Sequence, residues 1–569
     1  MKSSFIKVQL VNLTRIQVLI FSSIHFNEQP TFTLFVNGDS PIKLKPVKST
    51  SVTVTQIFDL DLPTPFQFGK QYHLGVTGFP LQSIDINEFV NCKEFDELFN
   101  YDGNDLGAIY HKDHTDFALW APLASSVFIK FPDLDKLVSM KRCERGVFRA
   151  NVEGDLLNAK YSYVVTNSGV TLESTDPYGY GASENSRYSG VVDIEAIKKM
   201  GNIKPKTYLV NYIDHIIYEV GIRDFTEQQG DVTDIVNRGK YLGFVESNRK
   251  TKGGHPAGLD YLKDLGITTV QLNPVIDFGS VDDLDMNKKY NWGYDPISMF
   301  ALEGSYSLHP EVPMERLKEF KTMVNKLHEA DIRVVLDVVY NHVYEYMSSC
   351  YQKIVPDYFF RRRKDGSLCN ASGCGDDVAS ERYMVRKMII DSLKYFVSVF
   401  DVDGFRFDLM GLIDIETINK GVKECLEIKK DLIFYGEGWN MGDLPYEDRA
   451  CSDHHDRIFH MGFFNDTFRD VVKGSTFNRG EKGYVGGDTT YAFGLKYAFY
   501  GSVHNINYDA RFSSLNQSIN YVECHDNNTL YDKLKISNSE DDEEMILKRV
   551  RLANGLLLYS FGVPFIHMG

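Results

Sequence analysis

Four acidic residues stand where short apolar runs end. Asp337 lies in Val334-Val-Leu-Asp-Val-Val-Tyr-Asn341-His342, and Asp408 closes Gly404-Phe-Arg406-Phe-Asp408. Glu437 follows Phe434-Tyr-Gly436 and precedes Gly438-Trp439, and Asp526 follows Val522-Glu-Cys-His525. One such Asp alone is ordinarily a turn or N-cap residue. Four together, each beside His, Arg or Trp, point to shared chemistry. Two carboxyls in different environments are what glycoside hydrolysis needs: an ionised one attacks the anomeric carbon, and a protonated one hands its proton to the leaving oxygen. Arg406 stands two residues before Asp408, on the same face of an extended strand, and is expected to hold Asp408 ionised. Glu437, beside Trp439 and expected to lie away from that cation, is the better acid, its pKa raised by desolvation.

Strands must deliver these groups. Residues 1–100 read as a β-rich domain, because β-branched runs recur and Pro30, Pro41, Pro46, Pro63 and Pro65 oppose long helices. A second β-rich block, 101–205, has short strands spaced as in a β-sandwich. From 206 to 569 apolar strands alternate with helical stretches. The expected strands are 215–225, 268–275, 332–339, 404–409, 432–436, 458–464, 519–524 and 563–568. Between them, 314–330 places Leu317, Phe320, Val324 and Leu327 on one helical face, and 381–402 does the same with Met388, Leu393, Phe396 and Phe400. Eight strands with intervening helices fit an α/β fold of the (β/α)8 barrel type, with a long insertion at 343–380 after the third strand. A doubly wound sheet fits the alternation nearly as well, and periodicity does not choose. In a barrel the C-terminal strand ends converge on one face, so the four carboxylates would meet there.

Composition narrows the partners. The 569 residues carry 62 Lys and Arg against 78 Asp and Glu, a net charge of −16. Such a chain is a poor binder of nucleic acid or anionic membranes. No run of 18 apolar residues occurs, so no transmembrane helix is expected, and Asn12, Arg15 and Gln17 break the apolar N-terminal run that would imitate a signal peptide. The 8 Cys are scattered, which suits a reduced, cytoplasmic setting. With 33 Tyr and 38 Phe the chain has rings for stacking on flat or ring-shaped ligands, although core filling takes most of them. Cys451-Ser-Asp453-His454-His455-Asp456 groups metal-capable side chains, but consecutive ligands rarely aim at one ion, and no metal site is expected.

The ordered segments 334–342, 404–411, 435–439 and 521–527 resemble the four short regions shared by the α-amylase superfamily of glycoside hydrolases. Tyr290-Asn-Trp-Gly-Tyr-Asp-Pro296 is similar to the signature of type I pullulanases, and Trp120-Ala-Pro122, Tyr218-Glu219 with Arg223-Asp224-Phe225, and Phe463-Phe-Asn-Asp466 look pullulanase-like as well. The resemblance implies a barrel and hydrolysis of α-1,6 branch linkages in pullulan, limit dextrins and related α-glucans, with retention of configuration. It implies Asp408 as nucleophile, Glu437 as general acid and base, and Asp526 as the third carboxylate, which grips sugar hydroxyls. Arg406, His342, His525 and Tyr294 match residues around the reacting sugar, Trp292 and Trp439 are expected to line the cleft, and Asp337 and Asn341 match positions that are mainly structural. In amylases that Asn often helps hold calcium, so calcium is the one cofactor the resemblance allows. The 101–205 block resembles a starch-binding-like module. Rival readings are an isoamylase, a branching transferase, or a non-catalytic glycan-binding protein.

Two residues depart from the pattern: Gly221 stands where relatives usually carry His, and Cys524 where Ser is usual. The chain stops at the expected eighth strand, Pro564-Phe-Ile-His-Met-Gly569, where the family continues with a helix and a C-terminal β domain. The expectation is a fragment of a longer enzyme with exposed apolar surface at that seam, prone to aggregate or weakly active.

Overall fold

The computed structural model describes residues 5–21, 29–37, 39–52, 54–227, 233–504 and 508–568. They form two compact units. One comprises Met1–Pro177 with Met347–Phe360 and Arg382–Met384, the other Tyr178–Tyr346 with Arg361–Glu381 and Val385–Gly569.

The first unit is built from antiparallel sheets. Its N-terminal sheet runs Phe5–Asn12, Arg15–Phe21, Thr55–Asp61, Pro46–Val52, and a second has Phe32–Val36 and Tyr72–Val76 at its centre. Alternation sets the faces: in Arg15–Phe21 the buried residues are Ile16, Val18 and Ile20, every second position. In the block that follows, His114–Trp120 lies between Gly107–Tyr110 and Val147–Glu153, and Ala124–Phe131 lies between Lys136–Ser139 and Lys160–Asn167.

The second unit is a closed barrel of eight parallel strands in chain order: Ile217–Val220, Thr269–Leu272, Arg333–Val338, Gly404–Phe407, Ile433–Gly436, Gly462–Asn465, Ser518–Tyr521 and Val563–His567. The eighth pairs with the first, Ile217 opposite Phe565, which decides for the barrel over the open doubly wound sheet. The first seven strands are fully buried four- to six-residue runs, as helices demand on the outside of a parallel sheet, whereas the eighth, Val563–His567, buries only Val563 and Phe565. Ile217, Val335, Ile433, Tyr435, Phe464, Ile519, Tyr521, Val563 and Phe565 pack into one cluster.

The strands come out shorter than expected, most of all the first. The first ends at Val220, and Ile222–Glu227 is helix rather than strand. The sixth begins at Gly462, not at 458. Apolar residues flanking a strand look like strand in sequence, but only four residues find parallel partners. The helix expected at 314–330 is Pro313–Glu329, opening on a Pro whose missing N–H costs nothing at that position. The one expected at 381–402 is Tyr383–Tyr395, continued by a π turn, Phe396–Phe400, that ends on left-handed Asp401.

Candidate active site

Hydrogen bonding between neighbouring strands continues past their ends and carries the two central carboxylates with it. The Asp408 N–H donates to the Val338 carbonyl at 3.1 Å, and the Glu437 N–H to the Phe407 carbonyl at 3.0 Å. Asp408 and Glu437 therefore emerge from adjacent strands at the same level. Leu409, directly after Asp408, takes left-handed backbone angles, φ 37° and ψ 52°. That is costly for a Leu and turns the chain sharply away from the strand. Its N–H donates to Glu437 Oε2 at 3.0 Å, so the strained turn also orients the second carboxyl.

Arg406 is the hub. It is buried, and its Nη1 lies 2.9 Å from Asp337 Oδ1 and 3.0 Å from Asp408 Oδ1. Its Nη2 lies 2.8 Å from Glu437 Oε1. This corrects the expectation that Glu437 would stand apart from the cation. Parallel register sets Arg406 opposite Tyr435, and the planar fork then reaches the first loop residue after that strand. Even so the Glu437 carboxyl is pushed up: burial dominates, Arg406 opposes it, and the nearby Asp408 charge adds to it. Asp408 Oδ2 accepts a second charge-stabilising bond from Asn341 Nδ2 at 2.8 Å.

Asp337 is fully buried beneath these groups. Its oxygens are occupied by Arg406, by the Tyr294 hydroxyl at 2.7 Å and by Gln271 Nε2 at 3.5 Å. Burial pushes its carboxyl up to about 7 against the pull of Arg406. His342 spans Asn341 Oδ1 at 2.5 Å and the Tyr294 carbonyl at 2.9 Å. Tyr294 stacks on His525 with ring centroids 4.6 Å apart, and Trp292 meets the same imidazole edge-on at 5.3 Å. Between them Gly293 has φ 98°, and a Cβ there would lie 2.9 Å from the Phe278 ring. Only glycine lets Trp292 and Tyr294 present both rings to His525. Trp292 is 42% exposed, available to a ligand, whereas Trp439 is half-buried against the barrel cluster. The Asp526 side chain is 47% exposed, with Oδ1 3.6 Å from His525 Nε2.

Sequence reasoning left Glu219 without a role. It projects from the first strand, is 1% exposed, and accepts from His525 Nδ1 at 2.7 Å and from the His525 N–H at 2.9 Å. Burial works against the charge on each partner, yet each stabilises the other: Glu219 is held below the usual carboxylate range and His525 is pushed up to about 9. Gln271 and Tyr435, joined at 2.8 Å, complete the floor. The available signal was polar residues inside otherwise apolar four-residue strands, where each must find a buried partner.

Of the two departures, Gly221 leaves room beside Asp224, and the Cys524 Sγ lies 3.9 Å from the Asp526 carbonyl. Asn341 spends its amide on Asp408 and His342. Among the described residues the groupings of three metal-capable side chains are His111, His114 and Asp116; Cys369, Asp377 and Asp443; and Asp277, Asp283 and Glu303. In the 451–456 run, His454 Nδ1 faces the Arg449 carbonyl and Asp453 accepts from Asn440. No helix of the described residues is long and apolar enough to cross a membrane.

The chain is similar to known proteins along most of its length. Residues 244–372 match the α-amylase catalytic domain model, and 105–179 match carbohydrate-binding module 48, the isoamylase N-terminal domain. The chain is 38% identical over 509 residues to the pullulanase of Bacillus subtilis (strain 168), covering 89% of this chain and 70% of that one. The crystal structure of pullulanase complexed with maltotriose from Anoxybacillus sp. LM18-11 superposes with a TM-score of 0.92 at 37% identity, covering 99% of this chain and 80% of the other. The type I pullulanase of B. subtilis str. 168, complexed with maltose, gives 0.90 at 35% identity, covering 100% and 79%. With this barrel and this similarity along most of its length, the chain belongs to the pullulanases, the glycoside hydrolases of the α-amylase family that hydrolyse α-1,6 branch linkages in α-glucans.

Proposed function

We propose that the chain cleaves α-1,6-glucosidic links in pullulan, limit dextrins and related α-glucans by double displacement, with Asp408 as nucleophile and Glu437 as acid and base. The observation that carries this is the single Arg406 guanidinium shared by both carboxyls. It keeps them close, favouring the spacing of about 5–5.5 Å used by retaining enzymes over the ~6.5–9.5 Å of inverting ones. In the first step Asp408 Oδ attacks the anomeric carbon, the glycosidic bond breaks, and the Glu437 proton passes to the leaving O6. In the second, Glu437 takes a proton from water, which attacks the glycosyl ester and frees Asp408. Two inversions give net retention.

The surrounding groups bind the sugar. His525, protonated at neutral pH beside Glu219, offers its Nε2–H next to the Asp526 carboxylate, a paired donor and acceptor for vicinal hydroxyls. His342 and Tyr294 wall the reacting sugar, and Trp292 stacks on a sugar face at the mouth. Asp337 acts beneath them, holding Arg406 and Tyr294 rather than touching sugar. Soluble α-glucan oligosaccharides and polysaccharides are the partners. Eight free thiols support a reducing, cytoplasmic setting.

Asp408→Asn and Glu437→Gln test the roles. Each should lower kcat on pullulan by several orders of magnitude with the fold retained by circular dichroism. NMR of early product should show the α-anomer. Near-parental turnover in either variant, or β-anomer first, would overturn the assignment.

A further inference from the structure

A short hairpin in the first unit carries donors of a different kind. Tyr110-His111-Lys112-Asp113-His114-Thr115-Asp116 turns between the antiparallel strands Gly107–Tyr110 and His114–Trp120. The His111 N–H donates to the His114 carbonyl at 2.9 Å, closing a two-residue loop, Lys112-Asp113. Residues opposite each other across such a pair share a face, and a step of two along the strand returns to it. His111, His114 and Asp116 therefore lie on one face by pleat alone. That face is outward, since Thr115 and Phe117 on the other side are buried.

Both imidazoles aim one nitrogen at one oxygen. His111 Nε2 lies 3.7 Å and His114 Nε2 3.5 Å from Asp116 Oδ2, and the rings stack with centroids 4.5 Å apart. These separations are long for hydrogen bonds. They suit a metal better: zinc held by N and O at about 2.0–2.1 Å puts its donors about 3.3–3.4 Å apart along a tetrahedron edge. All three donor atoms already lie within 4.8 Å of one another; the two Nε2–Oδ2 distances need shrink by only a few tenths of an ångström, and the stacked rings must turn so that both Nε2 lone pairs meet at the ion.

The outer atoms are already fixed. His114 Nδ1 lies 2.8 Å from Asp113 Oδ1, which leaves Nε2 as the ligand. Asn151 Nδ2 donates to Asp116 Oδ1 at 2.8 Å, which leaves Oδ2. A carboxylate behind a ligating His and a held ligating carboxylate are the supports that metal centres use. Glu153 stands opposite His114 on the next strand and adds negative charge beside the face.

We propose that His111, His114 and Asp116 form a binding site for a divalent transition-metal ion, zinc above all, with the remaining position open to water. Two imidazoles select transition metals over calcium and magnesium. Nothing in this proposal depends on the catalytic reading of the barrel.

The test is isothermal titration of the full chain with zinc chloride after chelator treatment. The parent should bind one zinc ion that His111→Ala or His114→Ala weakens at least tenfold, with folding checked by circular dichroism. Asp113→Asn, which removes the support and spares the ligands, should weaken it about 10–100-fold. Calcium chloride should give no heat that His114→Ala abolishes. Equal zinc affinity and stoichiometry in parent and both His variants would overturn the proposal, as would no binding by the parent at 100-fold excess zinc.

Discussion

At the scale of single residues, the Glu219–His525 pair decides when the proposed sugar-binding face is charged. His525 is faced by Glu219, Asp526, Arg406, Tyr294 and Asp337; burial, the largest influence, and Arg406 lower its pKa, and Glu219 together with Asp526 outweighs them. A His whose folded pKa is raised contributes stability that is full below its unfolded value near 6.5 and is lost as pH rises through about 9. Glu219, held low, adds stability that is lost as pH falls. Glu219→Gln leaves burial opposed by Asp526 alone, so the His525 imidazole should titrate well below about 9, which NMR of its ring protons would read. Activity on pullulan should then fall more than tenfold at pH 7–9 and least at the acid end. An unchanged pH profile would remove Glu219 from the positioning set. The two tryptophans should separate. Trp292→Ala, at an exposed ring, should raise KM without changing the urea midpoint. Trp439→Ala, packed on the barrel cluster, should lower that midpoint as well.

The elements place the candidate site at one end of the barrel and a structural ion-pair network at the other. At the N-terminal end of the fourth strand, Asp403 accepts from His328 Nε2 and Lys429 Nζ, each at 2.7 Å, and from the Val334 N–H at 2.7 Å. His328 comes from Pro313–Glu329, and Lys429 caps Ile415–Ile428, so one carboxylate ties two helices to two strands. Burial alone would raise its pKa, but Lys429 and His328 overcome that and hold it well below the carboxylate range. A depressed carboxylate stabilises above its unfolded pKa and loses that stability as pH falls. Asp403→Ala strands buried His328 Nε2 and the Val334 N–H, while Lys429 keeps Asp401, and should cost about 3–5 kcal/mol at pH 7. Urea titrations should show a smaller deficit near pH 3, with kcat at pH 7 unchanged. A deficit independent of pH would show that the charge is not what matters.

Across the molecule, closure is a matter of shape. Phe565 is 0% exposed, pairs its strand with Ile217, and packs against the Phe464 and Tyr521 rings at 5.1 and 6.4 Å. It meets residues from strands one, six and seven, so a cavity there loosens the seam from several sides. Phe565→Ala should cost about 3–5 kcal/mol. The barrel's urea midpoint should drop at unchanged slope, and loss of less than 1 kcal/mol would mean that the seam is held elsewhere.

Much of this could be read from the chain itself. Short apolar runs of Val, Ile and Phe mark the strand positions, and an Asp, Glu or His at their ends marks the functional end, because a barrel delivers strand ends to one place. Asp408, Glu437, Arg406 and the Tyr290–Pro296 segment were visible as residue types in order. What only the tertiary structure decided is which charges share a partner. Glu437 sits on Arg406 because parallel register aligns neighbouring strands, a relation between residues 31 positions apart that no periodicity encodes. Glu219 pairs with His525 across 306 residues for the same reason, since closure makes the first strand a neighbour of the last ones. The shortened first strand is the converse case: its flanking residues have strand-like composition, but hydrogen-bond partners run out after Val220. Sequence sets which side chains are available, and closure of the barrel sets the distances between them.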